Sequence, residues 1–165
     1  MRESLTGGNT RALLQSVSTA MDPLAMREFN RSLPMRMLRA REVFMKLFRP
    51  ILNDYGITEQ QWRVLRALLD EGEMSGQALS RKCCLSGPSL SRIISLLSKK
   101  GYIIKRIQPD DQRYMLIRLA PAGKKLCEEM SPRIEEKYRA AESIISPQQQ
   151  EQLHRLLDQI IDREE

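Results

Sequence analysis

Leu85-Ser86-Gly87-Pro88-Ser89-Leu90-Ser91-Arg92-Ile93-Ile94-Ser95-Leu96-Leu97-Ser98-Lys99-Lys100-Gly101 reads as a tight turn, a helix and a helix stop. Proline is tolerated in a first helical turn, where its missing N–H is not needed. Leu90, Ile93, Ile94 and Leu97 fall at i, i+3, i+4 and i+7, so they share one face and are expected to be buried. Burying them turns Pro88, Arg92, Ser95 and Lys99 to the opposite side, with Ser89 and Ser91 flanking. That outer face is small, polar and basic. It suits a DNA major groove, where arginine pairs bidentately with guanine and serines bond bases or phosphates, while the helix N-terminus attracts phosphate. Alone, the same pattern also describes a solvated amphipathic helix, so the neighbouring segments decide.

Downstream of Gly101 the period changes from helical to extended. Tyr102-Ile103-Ile104-Lys105-Arg106 and Tyr114-Met115-Leu116-Ile117-Arg118-Leu119 read as strands, joined by the turn formers Gln108-Pro109-Asp110-Asp111-Gln112-Arg113. Upstream, Ser75 to Cys83 predicts a short helix, and Thr58 begins another that buries Trp62, Leu65, Leu68 and Leu69 and stops at Gly72. From Pro34 to Asn53 apolar residues recur at helical spacing, Met37, Phe44, Phe48 and Ile51 on one line and Leu38, Met45 and Leu52 beside it. Pro121 opens a long helix to about Ile145, and Ser146 caps a last one with Leu153, Leu156, Leu157, Ile160 and Ile161 on one face. Residues 1–32 are polar, with a short helix expected from Thr10 to Met21, and form an extension.

Helices whose third and fourth members are joined by a tight turn, followed at once by a basic hairpin, spell a winged helix-turn-helix. The expected fold is therefore mainly α with a small β-hairpin. Residues 58–120 form the DNA-binding region, and residues 33–57 and 121–165 supply helices for dimerisation. The five apolar residues of the last helix are too many for a short terminal element to leave in water, and a second subunit would cover them.

Charge supports the same division. Residues 1–57 hold nine Lys/Arg against five Asp/Glu, residues 58–125 thirteen against six, and residues 126–165 five against ten. A basic middle on an otherwise ordinary domain is what a polyanion-binding face gives. With 165 residues the chain is one domain with an extension, which leaves no room for a two-domain enzyme. No apolar run approaches the ~18 residues of a membrane span, and the N-terminus lacks a secretory pattern, so a cytoplasmic location is expected. Three cysteines, Cys83, Cys84 and Cys127, lack the spacing of a disulfide framework or zinc site. The single histidine, His154, lies in a helical pattern as a surface or interface residue. There is no phosphate-cradling glycine loop and no nucleophile-base pair, so no enzyme, metal or cofactor is expected.

The hairpin tip Asp110-Asp111-Gln112-Arg113, placed after Lys99-Lys100-Gly101 and before Leu119-Ala120-Pro121-Ala122-Gly123, resembles the wing of the MarR family of bacterial winged-helix repressors. The resemblance covers about residues 33 to 163. It implies that Arg113 enters the minor groove and that Asp111 holds its guanidinium, an arrangement in which a carboxylate orders a long side chain before insertion. Thr58-Glu59-Gln60-Gln61-Trp62-Arg63, Leu38-Arg39-Ala40-Arg41-Glu42, and Cys84-Leu85 with Gly87-Pro88-Ser89-Leu90-Ser91-Arg92 are similar to the branch that controls homoprotocatechuate degradation operons. The resemblance implies a homodimer on a palindromic operator, acting as a repressor.

Arg41 lies on the apolar stripe of the first long helix, between Met37 and Phe44. A buried guanidinium needs an anionic partner, because an unpaired buried charge costs several kcal/mol. One candidate is a small aromatic carboxylate effector, with Phe44 and Trp62 as walls and Arg39 or Arg63 nearby; the other is an internal salt bridge. Cys83 and Cys84 raise a redox-sensing alternative, although Cys84 sits where a buried small apolar residue would serve. A winged-helix adaptor without a ligand is a third reading, separable because it would not need Arg92 or Arg113.

Overall fold

In a computed structural model the described residues are Met26, 28–108 and 111–162, with the side chains of 107, 108 and 111–114 outside the description. The helix expected from Thr10 to Met21 lies outside it. Helices α1 (Leu33–Asp54), α2 (Glu59–Glu71), α3 (Gly76–Lys82), α4 (Gly87–Lys99), α5 (Pro121–Glu142) and α6 (Pro147–Ile161) accompany strands β1 (Met74–Ser75), β2 (Ile103–Gln108) and β3 (Asp111–Leu119). A 3-10 turn, Phe29–Arg31, precedes α1. The chain divides after Arg41 into two units.

Local chemistry sets the helix boundaries. Thr58 and Gln61 form a capping box at α2: the Gln61 N–H donates to Thr58 Oγ1 at 3.2 Å and the Thr58 N–H donates to Gln61 Oε1 at 3.0 Å. This reciprocity is why the Gln61 side chain tolerates burial in the lobe. Ser75 caps α3 and Ser146 caps α6 through their hydroxyls, the latter again with a capping box to Gln149. Gly101 ends α4 at φ 73°, a left-handed conformation that glycine adopts without steric cost.

The expected hairpin is the larger part of a three-stranded antiparallel sheet in the order β1-β3-β2. Strand β1, two residues long, pairs Met74 with Ile117 and Ser75 with Leu116. Sequence periodicity missed it because two residues are too few to show alternation. Across β2 and β3, Ile103 faces Leu119 and Lys105 faces Ile117, with an irregularity after Ile107.

The core of the second unit draws on every element from α1 to α5. Phe48, Ile51 and Leu52 come from α1, Trp62, Leu65 and Leu68 from α2, Leu79 from α3, Leu90, Ile93, Ile94 and Leu97 from α4, Ile103 and Ile117 from the sheet, and Cys127, Met130 and Ile134 from α5. Helices α1 and α5 are fastened by the Phe48 and Tyr138 rings, 4.8 Å apart, and by Arg133, which pairs with Asp54 at 2.7 Å. No residue of α6 is buried, and Leu153, Leu156, Ile160 and Ile161 are exposed.

Two expectations about burial are corrected. Arg41 is exposed in this chain, because the stripe it shares is itself uncovered: Met37, Leu38 and Phe44 are all exposed. Among the described residues before Glu42, none is buried. Cys84 is exposed and Cys83 is the buried member of the pair. The cause is the turn, in which Cys84 takes the left-handed conformation at φ 49° and its side chain leaves the core that Cys83 enters.

Candidate nucleic-acid interface

The link from α3 to α4 is held by four bonds. Cys84 N–H donates to Arg81 O at 3.1 Å and Leu85 N–H to Ser80 O at 3.0 Å. Ser80 Oγ returns a bond to Leu85 O at 2.5 Å. Arg63 reaches across from α2 to donate through Nη1 to Cys83 O at 2.7 Å. The turn is therefore rigid, and it fixes how α4 leaves the lobe.

Helix α4 has the two faces its sequence implies. Leu90, Ile93, Ile94 and Leu97 are buried, whereas Pro88, Ser91, Arg92, Ser95 and Lys99 are exposed. Ser89 is half-buried, and its Oγ accepts from Ser86 Oγ at 2.9 Å. Ser86 makes no side-chain cap bond. The first N–H groups of α4 are thus left without a side-chain acceptor beside an exposed polar face.

Ser91 and Ser95 open into a groove of about 780 Å³ between α3, α4 and the sheet. Gln77 and Arg81 of α3 form one wall, Lys105 of β2 stands on the other, and Leu90, Ile94 and Met115 form an apolar floor. Pro88, Arg92 and Lys99 lie outside this groove on the exposed side of α4. Arg113 and Asp111 belong to β3, with Asp111 opposite Gln108 where the strands meet; their side chains are outside the described part. Gln77, Arg81 and Lys105 were not singled out from the sequence. The signal was present in their i, i+4 spacing on α3 and in the alternation along β2, but it needs the groove to be seen.

The residues weighed for an effector occupy different surroundings. Arg39 donates through Nη1 to Asn30 Oδ1 at 3.0 Å and lines a cavity of about 340 Å³ with Asn30 and Arg36. Phe44 is exposed on α1. Trp62 is buried in the core with 8% of its surface exposed, and Arg63 is committed to the turn before α4. Arg49, which sequence reasoning passed over, bridges Glu42 at 2.6 Å and Glu59 at 2.5 Å, and hydrogen bonds to these two carboxylates hold its guanidinium above its ordinary range. This ties α1 to the start of α2.

The thiols differ in the same way. Burial pushes the Cys83 thiol up, and the nearby Arg63 and Lys82 charges offset only part of that. Burial pushes Cys127 up to about 11. Among the described residues no group of three or more His, Cys, Asp or Glu side chains is placed to hold a metal ion, and no helix is long and apolar enough to cross a membrane.

Residues 55–113 match the sequence profile of the MarR family. The chain is 38% identical over 114 residues to the HTH-type transcriptional regulator FarR of Neisseria gonorrhoeae, covering 69% of this chain and 78% of that protein. It is 35% identical over 130 residues to the homoprotocatechuate degradative operon repressor of Escherichia coli, covering 79% and 88%. The crystal structure of NadR in complex with 4-hydroxyphenylacetate superposes with a TM-score of 0.72 at 34% identity, covering 82% of this chain and 96% of that one.

Proposed function

The chain belongs to the MarR family of winged-helix transcriptional regulators, and from that premise we propose that it is a homodimeric repressor of an aromatic-compound catabolic operon, released from DNA by a small aromatic carboxylate. The observation that carries the DNA-binding part is α4, whose apolar face is buried in the lobe while Ser91, Arg92, Ser95 and Lys99 are exposed. On this reading Pro88, Ser89, Ser91, Arg92, Ser95 and Lys99 lie along the major groove, and Arg113, held by Asp111, enters the minor groove. Residues 58–120 read the DNA, and α1, α5 and α6 supply the dimer. Two lobes related by a two-fold axis then meet two half-sites of a palindrome.

The effector class is supported by two relatives: one is named for repression of homoprotocatechuate degradation and the other is crystallised with 4-hydroxyphenylacetate. In this chain Arg41 and Arg39, both exposed, are the cations proposed to take the carboxylate. Trp62 would offer only an edge, and Arg63 would have to give up its bond to Cys83 O. Effector binding shifts the population towards dimers whose lobe spacing no longer matches successive major grooves.

Redox sensing, as the alternative, rests on Cys84, since it is the exposed thiol beside α4 while Cys83 is buried. An adaptor without sequence preference is separated from the repressor by substitution. Arg92→Ala and Arg113→Ala should each cost roughly 1–3 kcal/mol of affinity for the operator. Equal affinity of the native protein for operator and random DNA would remove the repressor reading.

A further inference from the structure

We propose that Arg81 and Lys105 are phosphate contacts that seat α4 on DNA, one from each wall of the groove that holds Ser91 and Ser95. The inference rests on the reading of α4 as the DNA-recognition helix and adds the residues that fix its register.

The cations around this groove fall into two sets. Lys82 is paired with Glu71, and Arg106 is paired with Glu73 at 2.9 Å. Their chain neighbours Arg81 and Lys105 have no carboxylate or other side-chain partner among the described residues. In each adjacent pair one charge is neutralised inside the protein and the other is left on the groove. The floor between them is apolar, formed by Leu90, Ile94 and Met115, so the uncompensated charge stands on the two walls alone.

Geometry and physics agree on what such walls meet. In a helix-turn-helix the helix before the recognition helix crosses the sugar-phosphate backbone, which is the place of Arg81 on α3. Lys105 pairs with buried Ile117 in the ladder, so its backbone is fixed relative to α4. A cation already tied to a carboxylate releases few counterions on meeting a phosphate, whereas an unpaired one contributes a full contact. Lys82 and Arg106 brace the lobe instead, joining α3 to the end of α2 and β2 to the residue before β1.

The test is a salt titration of binding, over roughly 50 to 200 mM, to a labelled duplex from upstream of the protein's own gene and to a random duplex of equal length. Arg81→Ala and Lys105→Ala should each lower the slope of log affinity against log salt by about one, and weaken both duplexes by the same factor. Arg81→Lys should restore the slope, because a phosphate accepts either cation. Lys82→Ala and Arg106→Ala should leave the slope unchanged. Unchanged slopes in Arg81→Ala and Lys105→Ala, with Arg92→Ala still weakening the upstream duplex, would overturn the proposal and leave the reading of α4 standing. A native protein that binds neither duplex would overturn both.

Discussion

A Cβ placed on Gly123 would stand 2.0 Å from the carbonyl oxygen of Tyr102. The same oxygen accepts the Ala120 N–H at 2.9 Å. Tyr102, the residue that precedes β2, is thereby clamped against the first turn of α5, with the wing strands running out from there. The glycine of Leu119-Ala120-Pro121-Ala122-Gly123 has a physical reason: only a residue without a side chain lets the two backbones come this close.

Gly123→Ala should therefore lose at least about 1–3 kcal/mol, since the obstructing atom is backbone and cannot swing aside. Gly87→Ala serves as a control, because nothing lies within 4 Å of the added carbon there and φ is not positive. Urea unfolding of both variants compares them directly. Equal midpoints would show that the Tyr102 contact is not a constraint.

Cys84 holds a left-handed backbone at φ 49°. Such a conformation costs a side-chain-bearing residue roughly 1–2 kcal/mol, part of which glycine returns through its greater freedom in the unfolded chain. Cys84→Gly should raise stability by about 0.5–1 kcal/mol net with an unchanged m-value. A lowered urea midpoint would show that the thiol makes a contact worth more than the strain.

The Cys127 thiol is pushed up by burial from an ordinary 9.0 to about 11. Unfolding returns it to the ordinary value, so between these limits the unfolded chain sheds a proton that the folded chain keeps. Stability from this group is full below about pH 9 and is lost as pH rises through about 11. The stability difference between native protein and Cys127→Ala should shrink across that window. A difference that stays constant from pH 8 to 11 would contradict it. Cys83 is shifted in the same direction, also chiefly by burial, and only Cys84 should react quickly with a thiol reagent in the folded protein.

How far the sequence could be read follows from which signals are local. The four-residue apolar line of α4 and the Thr58 and Ser146 caps depend on neighbours within one turn, and the structure places α4, α2 and α6 accordingly. The hairpin forms too, but its strands run further than its turn formers suggest, with Gln108 in β2 and Asp111 to Arg113 in β3. Strand β1, the groove walls and the Arg49 bridge depend on partners far along the chain, such as Ile117 for Met74 and Glu59 for Arg49. Arg41 and Cys84 failed for a different reason. Both sit on sequence patterns that signal apolar surroundings, but the first stripe is exposed among the described residues and the second residue is turned outward by its backbone.

The uncovered faces make a prediction about assembly. Leu153, Leu156 and Ile160 of α6 are exposed within one chain, and burying such side chains is worth roughly 1.5–3 kcal/mol each. Sedimentation should find a dimer, and Leu156→Glu with Ile160→Glu should yield a monomer whose helical content is little changed. Deleting residues 1–30 should weaken dimerisation. A native monomer at micromolar concentration would overturn the assignment of these helices to a dimer.

The most direct test of the account is fluorescence anisotropy of the protein on labelled DNA from its own upstream region, with random DNA as competitor. Either 3,4-dihydroxyphenylacetate or 4-hydroxyphenylacetate is then added. The account predicts binding that random DNA does not displace, release by at least one of the acids, and an Arg41→Ala protein that binds DNA as before but no longer responds. Specific binding that neither acid touches would contradict the proposed effector, and binding that random DNA displaces equally well would contradict the repressor itself.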